Sequence, residues 1–385
     1  MPAATVRPRP AALPPLPLGA AIIGLAIFTL WRLFLLVERY LQGRAGLDFY
    51  WNISAATIGL RQGWAAVYDR ELYGSFTNHG SPLSYANLPA IAWLAVPFSR
   101  LPYRVGLLAW TALLVLLLLL AWWLAAPGGP WQRAAHLGLL LSAAPVLRAL
   151  DLGQYHLVVV GLLALHWWLV QRDRPLLAGA ALALACLKPQ DVFLVPAALA
   201  LTGRWRCTAA WAAAAAGLAV AMALVLGPAG LAAYRHNLDF ALDRLTTATT
   251  LAGNLPGWLP AGPVTGVVAV LALVPAILEG AARYGRAVAA AVVGSVLCTP
   301  YLNNQDLSIL ILAGWLALGT GLPAWARWGL LPGYVAVTLP AGPLPHRGDL
   351  TVLAPLAAAL CWTAALALLA LVPWLVAPPA ARSPA

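Results

Sequence analysis

The chain has 385 residues, of which 62% are hydrophobic and only 9% charged, with a formal net charge of +11. A soluble domain carries about 25% charged residues, so this composition excludes an ordinary globular protein: too little polar surface exists to cover one. The positive charge does not mark a nucleic-acid binder either, because no basic stripe with interleaved aromatics stands outside the apolar runs.

Apolar runs near the ~20 residues needed to cross the hydrocarbon recur along the chain, and lipid forces such segments to be helical. The sequence predicts an all-α polytopic membrane protein: a tail over 1–17, one transmembrane domain over 18–377 with roughly 11 to 13 spans, and a second tail over 378–385. The N-terminus resembles a signal sequence, but its apolar run is long and no A-x-A-like site follows, so it is read as a retained first span. Later spans are expected near 83–98, 105–126, 134–150, 155–170, 176–202, 209–227, 263–281, 286–298, 307–320, 323–340 and 352–377. Within 176–202, Lys188-Pro189 leaves open whether two segments cross or Pro189 only kinks one. Arg100 with Arg104, Arg204 with Arg206, and Arg283 with Arg286 are expected in cytoplasmic loops, together with Arg7 and Arg9. The 18 Trp residues, many at segment ends, fit interfacial anchoring. Cys186, Cys207, Cys298 and Cys361 show no C-x-x-C spacing, and the six histidines no ligand pair, so neither a metal site nor a disulfide framework is implied.

Glu38–Ser81 is the longest polar stretch, expected on the extracytoplasmic side. In it, Phe49, Ile53, Ala56 and Leu60 fall on one helical stripe and Asp48, Asn52 and Gly59 on another. The pattern predicts a helix lying on the bilayer surface with Asp48 aimed into a cavity; the plain alternative is an acid favoured by the helix dipole. A second surface helix is expected around Leu238, Ala241, Leu242 and Leu245, where Arg235 and Asp239 can pair.

Charge inside a membrane costs ~2.5–3.5 kcal/mol at mid-bilayer, so three polar breaks call for a reason. Asp151-Leu-Gly-Gln154 offers amide hydrogen bonds, or is a tight turn. Lys188, beside a helix-breaking proline, suits a phosphate on a lipid carrier, or forms a structural pair with Asp191. Thr299–Asp306 presents amides suited to sugar hydroxyls, or is ordinary turn chemistry. Tyr68-Asp69 and Ser84-Tyr85 are weaker candidates.

Taken in order, these pieces resemble glycosyltransferase family 87, the polyprenol-phosphate-mannose-dependent α-mannosyltransferases of the GT-C superfamily. The matching elements are the first-loop Asp48, the run Gly63 to Tyr68-Asp69, Tyr85 with Pro89, and Pro97–Pro102. They continue with Leu152-Gly-Gln154, Gly179 leading to Leu187-Lys-Pro189, Arg204-Trp-Arg206, and Pro300-Tyr301 followed by Asp306-Leu307. The resemblance implies a GT-C-like bundle in a bacterial plasma membrane, with amphipathic helices in its first extracytoplasmic loop. It implies a metal-independent, inverting transfer without a cofactor, from a polyprenyl-phosphate sugar donor to a glycolipid or glycan acceptor among membrane lipids. Asp48 would be the base, Lys188 and Gln154 would bind the donor phosphate, and Tyr85, Tyr301, Asn303, Asn304, Gln305 and Asp306 would line the sugar or acceptor pocket. Many relatives carry Trp and His where this chain has Leu302, Asn303, Asn304 and Gln305. The rival function is a membrane carrier or flippase using Asp151, Lys188 and Asp191.

Overall fold

The computed structural model describes residues 16–77, 85–244, 249–327, 333 and 350–376. The second tail, Arg7, Arg9, Ser84, Leu245 and most of the expected span 323–340 lie outside them, as do residues 1–15 of the first tail. The described residues are helical and contain no strand.

Helix α1 (Leu16–Leu41) leads through a short turn to α2 (Leu47–Gln62). A 3₁₀ turn (Trp64–Tyr68) and α3 (Arg70–Thr77) follow. Next come α4 (Pro89–Ser99), α5 (Tyr103–Ala125), α6 (Pro130–Ser142), α7 (Ala144–Leu152) and α8 (His156–Gln171). Three short pieces, α9 (Pro175–Ala185), α10 (Pro189–Val192) and α11 (Val195–Leu201), precede the long α12 (Trp205–Arg244). The chain closes with α13 (Leu251–Asn254), α14 (Ala261–Glu279), α15 (Tyr284–Cys298), α16 (Ile309–Leu318) and α17 (Leu350–Val376).

Four described segments, Tyr103–Ala125, Trp205–Phe240, Ala261–Cys298 and Leu353–Pro373, are long and apolar enough to cross a membrane, and the α6–α7 pair, bent by 53°, passes the same test if taken as one segment. This is a polytopic all-α membrane protein. On α1, Ile23, Ile27, Leu30, Phe34, Val37 and Leu41 form a bare apolar stripe at spacings of four and three, a surface suited to lipid and not to water. The core is α15, buried from Tyr284 to Leu297. Its small residues allow close helix approach: a Cβ on Gly294 would stand 2.3 Å from the Ala272 Cβ on α14. Cys298 Sγ meets the Thr265 carbonyl at 3.1 Å, so the stretch Ala261–Cys298 does not run straight through: α14 and α15 double back on one another as an antiparallel hairpin.

Among the described residues fewer segments are long enough to cross than the composition suggests, because several apolar helices are short. At 1.5 Å per residue, α4 reaches about 16 Å, half the hydrocarbon thickness. It is apolar because it covers α2, where Ile91, Ala92 and Ala95 are buried. The chain therefore turns back into α5 at the end it started from, and the Tyr103 hydroxyl donates to the Gly46 carbonyl at 3.2 Å. Arg100 and Arg104 accordingly sit at the same end as Asp48, contrary to their expected grouping with the other basic loops. Arg204 does lie beside the 280–284 turn, bonded to the Ala281 carbonyl at 3.3 Å.

The Lys188-Pro189 question is also answered. Neither α9, about 16 Å long, nor α11, about 10 Å, can cross alone. Ala178, at the start of α9, accepts from His166, whose other ring nitrogen meets the Tyr284 hydroxyl at 2.5 Å. Arg204 lies over the Tyr284 ring. Both ends of the α9–α11 unit are therefore together, and the unit doubles back with Lys188 near its turn.

The expected second surface helix is the far part of α12, beyond a break at Gly227 (φ 62°, ψ 179°) and Pro228. It turns Asn237 inward, donating to the Tyr68 carbonyl at 2.9 Å, while Arg235 and Asp239 remain exposed. The side chains of Ala241 and Leu242 lie outside the described residues.

Candidate active site

The site is assembled where α2 begins, α7 ends, the α9–α11 unit turns, and α15 gives way to the 3₁₀ turn Asn304–Ser308. Two glycines make the first junction possible. Gly46 precedes α2 at φ 90°, and a Cβ there would press Leu107 at 2.7 Å and the Tyr103 hydroxyl at 2.8 Å. Gly153, at φ 68°, closes α7; its N–H reaches the Leu150 carbonyl and that of Gln154 the Ala149 carbonyl, a Schellman ending. A Cβ on Gly153 would lie 2.7 Å from the Phe49 Cβ. With no side chain on either, Gly46 N–H donates to the Asp151 carbonyl at 2.6 Å, and the start of α2 rests on the end of α7.

That contact places Asp48, in the first turn of α2, against Gln154, whose Nε2 donates to Asp48 Oδ2 at 2.7 Å. Burial pushes the Asp48 carboxyl up to about 7 by penalising its charged form. Lys188 and Arg148 oppose that shift, and Asp306 and Asp151 add to it. A half-buried carboxyl that titrates near neutrality suits a general base.

α2 itself is more enclosed than a helix resting on the bilayer. Phe49, Asn52, Ala55, Ala56, Ile58 and Gly59 are buried, so both expected stripes face protein, and Leu60, expected on the apolar side, is exposed at 47%. α2 is fastened by α4, α3 and the 3₁₀ turn around Tyr68, Tyr73 and Tyr85. Tyr85, expected to touch sugar, is buried in this aromatic cluster, and its hydroxyl donates to Asn52 Oδ1 at 3.2 Å. It braces the helix that carries Asp48.

Lys188 is buried and pairs with Asp306 Oδ1, with Asp191 Oδ2 at 3.8 Å. Asp191 also holds His156 Nδ1 at 2.6 Å. An unpaired Lys188 awaiting an anion is therefore not what the structure shows, and its nearer carboxylate is Asp306 and not Asp191. His156, Asp191 and Asp306 bring one ligand atom each within 4.8 Å of one another, a spacing fit for a cation, and the Lys188 ammonium stands among them in that role. Asp151 is held between Arg39 Nε at 2.6 Å and Arg148 at 2.9 Å. With Asp151, Lys188 and Asp191 all locked in ion pairs, no observation supports the carrier reading.

In the loop, Asp306 accepts from the Asn303 N–H at 3.0 Å, as the N3 acid of a capping box whose N-cap is Asn303. Asn303 Nδ2 donates to the Tyr301 hydroxyl. Tyr301, Asn303 and Asn304 are half-buried and Gln305 is buried. The loop is close enough that Asp48 and Asp306 both raise the Tyr301 pKa, although burial is the larger cause.

Sequence reasoning missed Arg148, Arg39, His156, Tyr155 and Asn87. Tyr155 donates to Asn87 Oδ1 at 3.4 Å and lies under Lys188, 5.6 Å from its ring centre. The only available signals were the i, i+3 pair Arg148–Asp151 and a lone histidine in an apolar run. No curated protein and no solved structure matches the chain. The family model for glycosyltransferase family 87 matches residues 85–300, a stretch that carries Tyr85, Arg148, Gln154 and Lys188. That match covers more than half of the chain, and this membrane protein belongs to glycosyltransferase family 87.

Proposed function

We propose that this glycosyltransferase moves mannose from a polyprenyl-phosphate donor to a glycolipid or glycan acceptor at the extracytoplasmic face of a bacterial plasma membrane, with inversion and with Asp48 as the base. The observation that carries the reading is the Asp48 carboxyl, held by Gln154 at 2.7 Å and raised to about 7. In the proposed step Asp48 takes the proton of the acceptor hydroxyl as that oxygen attacks the anomeric carbon. The bond from that carbon to the phosphate oxygen breaks, and polyprenyl phosphate leaves with the electron pair. Cationic groups beside the leaving phosphate lower the barrier by stabilising the charge that develops on it. The polyprenyl phosphate, the mannose, the GT-C fold and the inverting course come from the resemblance described above. A membrane-borne donor is supported by the bare apolar stripe on α1, and base catalysis by the Asp48 carboxyl at the end of the helical bundle. The amide-bearing loop 301–306 supplies the mixed donors and acceptors that sugar hydroxyls need.

The test is to incubate the purified protein with polyprenyl-phosphate-mannose and a membrane lipid extract and to identify the product by mass spectrometry. A mannosylated lipid or glycan, absent with Asp48→Asn, supports the reading. Full turnover by the Asn variant would show Asp48 to be structural.

A further inference from the structure

Charge is unevenly distributed within the site. Around Lys188 one ammonium meets two carboxylates, Asp306 and Asp191, and all three side chains are buried. Around Asp151 the count is reversed: two guanidinium groups meet one carboxylate. An incoming phosphate therefore meets two buried carboxylates that already share Lys188 and His156 at one place, and two guanidinium groups that share a single carboxylate at the other.

Of the two arginines, Arg39 is the more committed. Its Nε bonds Asp151 and its Nη2 bonds the Arg44 carbonyl at 3.2 Å. Arg148 spends one hydrogen bond, from Nη1 to Asp151, and no other partner is seen for it among the described residues. It is also the one exposed residue on α7, where its neighbours on both sides are buried. α7 packs against the 3₁₀ turn Asn304–Ser308 and against α2, which puts Arg148 on the helix shared by both walls of the site.

From this geometry we propose that Arg148, and not Lys188, is the residue that binds the phosphate group of a lipid phosphate monoester in the site. A guanidinium with its remaining donors open to solvent matches two phosphate oxygens at once, while Arg39 keeps Asp151 neutralised. Lys188 instead holds the loop 303–306 through Asp306. The inference rests on the proposed phosphate-linked donor and names the residue that reads it.

The experiment is binding of citronellyl phosphate, neutral citronellol and inorganic phosphate to the full-length protein and to Arg148→Gln and Arg148→Lys. Loss of one charge-assisted contact predicts ~10–100-fold weaker citronellyl phosphate binding for Arg148→Gln with citronellol unaffected. Arg148→Lys keeps a charge and the link to Asp151, and falls between. Competition by inorganic phosphate at the same concentration as the isoprenyl phosphate would show that the phosphate alone is read; much weaker competition would show that the lipid chain is read with it. Either supports Arg148. Equal citronellyl phosphate binding by all three proteins overturns the assignment while leaving the transferase reading intact. Absent binding by the unaltered protein overturns both. Intact, Arg148-dependent phosphate binding without any sugar transfer sinks only the reaction.

Discussion

Gln154 and Asp48 are joined by a 2.7 Å hydrogen bond across 106 residues of sequence. The Gln154 amide donates to the carboxylate and so favours its charged, basic form. Gln154 Oε1 is buried without a partner, a cost consistent with an amide oriented toward the acid. Gln154→Leu keeps bulk and removes the donor. The pH midpoint of kcat/KM should move up from about 7 and the rate at neutral pH should fall. An unmoved midpoint would show that Gln154 does not tune Asp48.

The pH behaviour of Asp48 has two readouts with opposite signs. Its carboxyl is raised from 3.8 to about 7 in the folded protein, so between those values the native state keeps a proton that the unfolded chain has lost. Its contribution to stability is full at the acid end and is lost as pH rises through 7. Activity that needs the carboxylate instead rises over the same interval. Asp48→Asn should lower transfer by ~10²–10⁴-fold. In addition, the Tm of the unaltered protein should decline relative to the Asn variant between pH 5 and 8. A difference in Tm that stays constant with pH would mean that the Asp48 carboxyl is not shifted.

The candidate site is marked in the sequence by polar positions: Asp151, Gln154, Lys188 and Tyr301–Asp306 interrupt apolar runs, Asp48 sits in the longest polar stretch, and the fold gathers all of them at one end. Partnership was not legible. Lys188–Asp306 spans 118 residues, and nothing in local spacing could favour it over the i, i+3 option at Asp191. Topology failed for a related reason: an apolar run such as 89–99 can face lipid or cover another helix, and composition is the same in both cases. Arg148 and His156 carry no comparable signal, because a single charge or imidazole in an apolar run has the composition of an interfacial residue whatever its neighbours in the fold.

Gly153 tests whether the junction of α2 and α7 positions the base. Ala at φ 68° incurs about 1–2 kcal/mol for the left-handed backbone, and its Cβ would displace Phe49 from a 2.7 Å approach. Gly153→Ala should lower Tm and reduce kcat beyond what the stability loss explains, because Asp48 neighbours Phe49. Normal kcat in the folded fraction would show that the site tolerates the shift.

The proposed role of the loop amides in substrate choice can be tested at Asn304. Asn304 is half-buried, and a group that bonds a sugar hydroxyl discriminates strongly, since a mismatched ligand leaves buried polar atoms unpaired. Asn304→Ala should alter the ratio of kcat/KM between donor sugars or acceptors more than it alters Tm. If Ala at 303, 304 and 305 together changed neither turnover nor preference, the loop would be a connector only.

Lys188 separates a structural from a ligand-binding cation most sharply. Lys188→Met would leave Asp306 and Asp191 as buried carboxylates without their cation, and breaking such a pair from one side costs about 3–5 kcal/mol. Asp306 also fixes the Asn303 N–H, so the loss should spread into the loop. The single variant is expected to unfold at markedly lower temperature. Lys188→Met combined with Asp306→Asn removes a positive and a negative charge together, leaves Asp191 its bond to His156, and should recover much of that stability. Citronellyl phosphate binding by the stabilised double variant should stay within a few-fold of the unaltered protein, because Arg148 is untouched. A Lys188→Met protein as stable as the original but unable to bind the phosphate would reverse these roles and return the phosphate to Lys188.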